Sequence, residues 1–215
     1  MRVRRLALAG LASVALASAA ACTSVIAPIL KPDVSTDVSG MEGGDWQLDP
    51  AHAAITFKID HLGYSTFIGR FERFDVRLSG QPDSPETARV EGRVDMTSLD
   101  IANDAFAETL MGPDWFNADP FPEARFQSTR ILLTGPVTAD VEGLLTLRGR
   151  TAPIVLAVRF NGSGHDRLRN ADVAGFSATA RLDRTDFGID RFSGLLTDDV
   201  EIEIEAELIK TPGVT

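Results

Sequence analysis

Between residues 52 and 78 apolar and polar positions alternate with a period of two. Ile55, Phe57 and Ile59 fall on one side, Thr56, Lys58 and Asp60 on the other. His61-Leu62-Gly63 interrupts the run, and Gly63 supplies the backbone freedom a reversal needs, so the stretch predicts a β-hairpin. In the returning strand Phe67, Gly69 and Phe71 share a face, but the next apolar set, Phe74, Val76 and Leu78, has even numbers. That slip of one residue predicts a bulge near Glu72 and Arg73, the device by which strands bend around a barrel.

The same rhythm recurs along the chain. Trp46-Gln47-Leu48-Asp49 predicts a short first strand ended by Pro50, and in residues 88–96 every odd position is charged while every even one is apolar or small. Residues 124–133, 137–148, 152–161 and 171–183 predict four more strands, separated by Gly135-Pro136, Arg148-Gly149 and Gly162-Ser163-Gly164. In the last strand Val200, Ile202, Ile204, Ala206 and Leu208 alternate with four glutamates, read as a solvated face that opposes aggregation rather than as a cation site. Asn103-Asp104 is the exception. It caps a short helix with Phe106, Leu110 and Met111 on one side and Gly112-Pro113 at its end, expected to lie near a barrel mouth. Trp115, Phe116, Phe121 and Phe126 follow closely and suggest a plug or a pocket wall. Short strands without a βαβ rhythm predict an all-β antiparallel barrel or sandwich, and strand-interior glycines at 69, 92, 143 and 175 favour the barrel. Eight strands enclose room for packed side chains or one slender ligand.

Charge and the N-terminus narrow the setting. The formal net charge of −10 repels a nucleic-acid backbone, so no nucleic-acid partner is expected. Arg2, Arg4 and Arg5 precede an apolar run over residues 6–17, shorter than the roughly 20 residues of a membrane span; residues 1–22 therefore predict a secretory signal peptide. Ser18-Ala19-Ala20-Ala21-Cys22 resembles a bacterial lipobox, with Ala19 where leucine is usual. Cys22 is then the lipidated first residue of the mature protein; the alternative is ordinary cleavage after one of the alanines. As the only cysteine it has no disulfide partner within the chain. Residues 23–45 lack periodicity and predict a flexible linker, leaving 46–210 as the folded domain. The protein is expected in the bacterial cell envelope, in the periplasm, and membrane-anchored if Cys22 is acylated.

Catalytic signatures are missing from the sequence: there is no G-x-S-x-G elbow, P-loop, dinucleotide-binding glycine run or H-E-x-x-H. His52, His61 and His165 do not lie at metal-ligand spacing, and along an unbroken strand His52 and His61 stand nearly 30 Å apart at about 3.3 Å per residue. The pairs Asp183/Asp186 and Asp198/Asp199 read as turn and cap residues. No enzymatic activity, metal or cofactor is expected.

Taken in order, several pieces resemble the YceI-like family of exported lipid-binding domains. They are Trp46-Gln47-Leu48-Asp49 with His52; Phe57 and His61-Leu62-Gly63; Gly69-Arg70-Phe71 with Phe74; Trp115-Phe116-Asn117 with Phe121-Pro122 and Phe126; residues 143–149; Arg184-Thr185-Asp186-Phe187-Gly188-Ile189; and Val200-Glu201-Ile202. The resemblance covers nearly all of residues 46–208. It implies an extended, eight-stranded antiparallel lipocalin-like barrel whose cavity binds an isoprenoid-tailed amphiphile, a polyprenyl lipid or a quinone. The chain departs from the family at Ala53, where serine is common, and at Phe106, Ala107 and Thr109, which replace an Arg-Asp-x-His run. Candidate cavity-lining residues are Ile55, Phe57, Ile59, His61, Phe67, Phe71, Phe106, Leu110, Trp115, Phe116 and Phe126. Two other readings stand beside lipid binding: an envelope enzyme acting on an isoprenoid, and a solid-core interaction module.

Overall fold

A computed structural model describes residues 30–212. The expected signal peptide, Cys22 and residues 23–29 lie outside the described residues. The described residues form, in chain order, the strands β1 (Gly44–His61), β2 (Ser65–Phe71), β3 (Phe74–Gly80), β4 (Arg89–Asp95) and β5 (Leu99–Asp100), the helix α1 (Asp104–Met111), and the strands β6 (Glu123–Gly135), β7 (Thr138–Leu147), β8 (Arg150–Asp166), β9 (Ala171–Asp183) and β10 (Asp199–Lys210). Eight of them, β1-β3-β4-β6-β7-β8-β9-β10, form an antiparallel ring that closes where β10 pairs with β1. Closure leaves no free edge around the ring, which suits a sheet whose every strand alternates apolar-in and polar-out.

The predicted hairpin is β1–β2. Leu62 and Gly63 take φ of 58° and 73°, and the Tyr64 amide donates to the His61 carbonyl at 3.0 Å, a type I′ turn that matches the twist of its strands. β1 is long enough to serve two partners, pairing with β3 over Gly44 to Gln47 and with β2 over Ile55 to His61. The chain breaks step between β2 and β3 at Glu72 and Arg73, where the slip in apolar phase placed a bulge. There the Glu72 amide turns to the Ser98 carbonyl and the Arg73 amide to the Ser98 hydroxyl, both at 3.0 Å.

Three expectations are corrected. Pro50 does not end the first strand, because β10 runs on opposite it: Leu48 faces Leu208, Ala53 faces Ala206, and residues 49–52 bulge out against Glu207 alone. Gly162-Ser163-Gly164 does not break β8; the register slips once between Phe160 and Gly162, and pairing with β9 continues to Asp166. Helix α1, capped by the Asn103 side chain on the Phe106 amide at 3.0 Å, sits at the sealed end of the barrel rather than near its mouth. Its buried Ala107 and Leu110 join Phe57, Phe71, Leu99 and Phe187 there in one cluster. A helix this short needs that tertiary support to persist.

Part of the expected linker is docked. Ser35 exchanges two 2.9 Å backbone hydrogen bonds with Ser163 of β8. A 3-10 turn at Val38–Gly40 follows, capped by Asp37.

Candidate functional site

Inside the ring lies a cavity of about 530 Å³. Its wall follows directly from the two-residue period. Val76 and Leu78, Phe126 and Ile131, Val141 and Leu145, Leu156 and Val158, Ala178 and Ala180, Ile202 and Ile204 are the inward side chains of six of the ring strands. Glycine lets the largest of them lie flat: a Cβ on Gly143 would stand 2.3 Å from the Phe126 ring, so that ring rests on bare backbone. At one end the cavity is bordered by Val38, Met41 and Glu42 before β1, by Gln81, Pro82 and Pro85 between β3 and β4, and by Gly135 at the end of β6 with Pro136 and Val137 after it. Leu133 borders it too and is 57% exposed, so the cavity meets solvent on this side. At the other end it stops against Ile55, Phe71, Met96, Ala124 and Leu147.

The candidate lining residues divide accordingly. Ile55, Phe71 and Phe126 border the cavity. Phe57, Phe67, Leu110, Trp115 and Phe116 lie instead in the plug that seals it. Phe116 stands edge-on to Phe57 and Phe71 at 6.0 and 5.7 Å, and Phe106 edge-on to Phe67 at 5.9 Å. Ile59 faces Phe67 across the hairpin, outside the cavity wall. His61 is exposed at the hairpin tip, also away from the cavity. Sequence reasoning missed Trp46, 3% exposed and lining the mouth end, and it missed Val38 and Met41, which lie in a stretch with no periodicity to betray them.

The plug is organised around a buried cation that sequence reasoning also passed over. Arg184, 2% exposed, donates to the carbonyls of Ile189 (2.7 Å), Arg191 (2.9 Å) and Thr197 (3.1 Å), and pairs with Asp198 at 2.7 Å. Burying a guanidinium is tolerable only with such partners. It holds the turn that presents Phe187, 1% exposed, and Ile189 to the core. The carboxyl of Asp183, which caps this turn, is held below its ordinary value by hydrogen bonds from the Thr185 hydroxyl and amide.

A second polar cluster pins the β1 bulge from outside. Arg169 donates to Asp49, Asp166 and Glu207, each at 2.8 Å, while the His52 Nδ1 lies 2.8 Å from Asp49. Burial pushes the Asp49 carboxyl up, but hydrogen bonds from His52, the Ala51 amide and Arg169 outweigh it, so its pKa is lowered. Asp49, His52 and Glu207 place one ligand atom each within 4.8 Å of one another, a spacing a metal could use. The Arg169 guanidinium already lies among those atoms and donates to both carboxylates, where a metal ion would have to sit. None of the four residues borders the cavity. The glutamate row of β10 is likewise an outer, partnered face: Glu201 pairs with Arg181, Glu203 with Lys58 and Glu207 with Arg169.

Comparison with known proteins agrees with this architecture. The family model described as the YceI-like domain matches residues 46–208. A UPF0312 protein of Vibrio cholerae is 37% identical over 155 residues, 72% of this chain and 82% of that one. One from Ectopseudomonas mendocina is 36% identical over 159 residues, 74% and 83% of the respective chains. Among solved structures, BcnA of Burkholderia cenocepacia superposes with a TM-score of 0.66 at 21% identity, covering 76% of this chain and 99% of that one. A polyisoprenoid binding domain from Saccharophagus degradans gives a TM-score of 0.57 at 13% identity, with 79% and 100% covered.

Proposed function

The chain belongs to the YceI-like domain family, and from that premise we propose that it is an exported lipid-binding protein holding an isoprenoid-tailed amphiphile, a polyprenyl lipid or a quinone, inside its barrel. The observation that carries this reading is the cavity: about 530 Å³, walled almost wholly by aliphatic and aromatic side chains, and open at one end. If a methylene fills about the 30 Å³ of a water molecule, the space accepts on the order of fifteen to twenty carbons. At about 0.8 kcal/mol per buried methylene, ten of them offer roughly 8 kcal/mol before ordering costs, so a tail alone can supply useful affinity. Polar side chains, Glu42, Gln81 and Thr138 among them, stand at the open end where a head group would remain. The solved polyisoprenoid binding domain of the same fold supports the choice of tail. The titratable cluster around Asp49 does not reach the cavity, which favours binding over turnover.

The test is to purify the mature protein from a bacterial envelope, extract it with organic solvent and analyse the extract by mass spectrometry. One amphiphile per chain, or saturable uptake of added quinone or polyprenol by emptied protein, is the expected result; the absence of both would overturn the reading. Membrane attachment through Cys22 belongs to the same proposal. Labelling with a palmitate analogue should then be lost in Cys22→Ser, and equal labelling of both proteins would remove the anchor.

A further inference from the structure

The mouth of the cavity is partly built by a segment that precedes the ring of strands and joins it through a single β-bridge. Residues 33–43 cross the outer side of β8 and then turn over the open end. Ser35 is fastened to Ser163 by the reciprocal backbone pair. The strap is seated on glycines: a Cβ at Gly162 would lie 2.5 Å from the Val34 side chain and one at Gly164 would lie 2.5 Å from the Asp33 carbonyl oxygen. Beyond this seat the 3-10 turn brings Val38 and Met41 to the cavity wall beside Trp46. The turn itself holds no buried residue, and the segment rejoins the sheet only at β1, where Lys210 pairs with Glu42 at 2.7 Å. The two backbone hydrogen bonds to β8, the Lys210–Glu42 ion pair, the Trp46 indole on the Glu42 carbonyl, the Lys210 ammonium on the Gly43 carbonyl and two half-buried side chains are few ties beside the continuous ladders of the ring. Such a segment opens at much lower free energy than the ring of strands on which it lies.

We propose that this strap is the gate of the lipid site. Docked, Val38 and Met41 complete the apolar wall over the tail; undocked, they leave the mouth wide enough for a lipid to pass, so strap opening sets the rate of uptake and release. The inference rests on the lipid-binding reading and adds where exchange is controlled. The segment continues toward the N-terminus, so a membrane anchor at Cys22 would put the gate on the stretch of chain nearest the bilayer.

The seat offers its own lock. Residues that exchange both backbone hydrogen bonds across an antiparallel pair stand about 5.5 Å apart at Cα, within the range a disulfide spans. In the full mature chain carrying Cys22→Ser, the pair Ser35→Cys and Ser163→Cys should therefore cross-link the strap without touching the cavity wall. A short-tailed ubiquinone reports occupancy by quenching Trp46. Oxidation should slow quenching and its reversal on the order of tenfold or more, leave the final amplitude unchanged, and be reversed by dithiothreitol. As an independent variant, Gly164→Val should push the strap off its seat and accelerate both rates. Equal rates in the oxidised and reduced forms, together with no acceleration in Gly164→Val, would overturn the gate while leaving lipid binding intact. Absence of quenching in every form, the parent included, would overturn the lipid-binding reading and the gate with it.

Discussion

The two ends of this barrel are made of the same strands with the same alternation, yet one end is solid and the other hollow. At the solid end α1, the Trp115-Phe116 turn and the turn carrying Phe187 and Ile189 are driven into the ring, and Phe57, Phe71 and Phe116 interlock within about 6 Å of one another. At the hollow end the described residues supply a strap contributing Val38 and Met41, with the β3–β4 and β6–β7 connections at the rim. A barrel's inward residues therefore form a core or a binding site according to what its connections insert, and the strands themselves do not decide.

That contrast can be broken first through stability. Phe187→Ala removes a ring from a fully packed site and should cost about 3–5 kcal/mol in urea denaturation, whereas Leu156→Ala, on the cavity wall, should cost nearer 2 kcal/mol because its surroundings are already open on one side. Equal losses would mean the two ends are packed alike. Filling the hollow end should do the reverse. Ala178→Phe projects a ring into the cavity, and should weaken quinone binding at least about tenfold while shifting stability by no more than about 1 kcal/mol.

A smaller effect tests whether the outer cluster is a structural clamp. Asp49→Asn should lower stability by about 1–3 kcal/mol at neutral pH by weakening the bonds from His52 and Arg169, with quinone affinity unchanged. Because the folded pKa of Asp49 is depressed, its contribution is complete above its unfolded value near pH 4 and is lost as pH falls through the folded value. The gap between parent and variant should accordingly close on acidification, and a gap that widened would contradict the assignment. Least affected should be Lys58→Ala, which removes a partly exposed pair with Glu203 on the outer face and should change stability by less than about 1 kcal/mol.

The strands, the helix and the break at Glu72 and Arg73 are legible in the sequence because period, capping residue and phase slip are local. The division of candidate residues is not. Phe57 and Phe71 share one face of one hairpin, yet only Phe71 borders the cavity: it stands opposite Ile55, the other hairpin residue on the wall, while Phe57 lies two residues nearer the tip, among plug residues that come from far along the chain. Arg169 meets Asp49 across 120 residues, a partnership no spacing rule detects. Arg184 stood within a recognisable run of residues, but its burial depends on carbonyls offered by the loop that follows. The strap was the least legible element, since it is held by backbone hydrogen bonds and by glycines on β8 rather than by any apolar rhythm of its own.

The most direct test of a hollow end beside a solid one is methyl NMR of the protein loaded with a lipid carrying a nitroxide on its tail. Methyl signals of Ile131, Leu156 and Ile204 should broaden most, clearly more than those of the outward-facing Leu132 and Val155 on the same strands or of Leu99 and Ile189 in the plug. Broadening confined to the outer face, or none at all with lipid bound, would contradict a tail held inside the barrel.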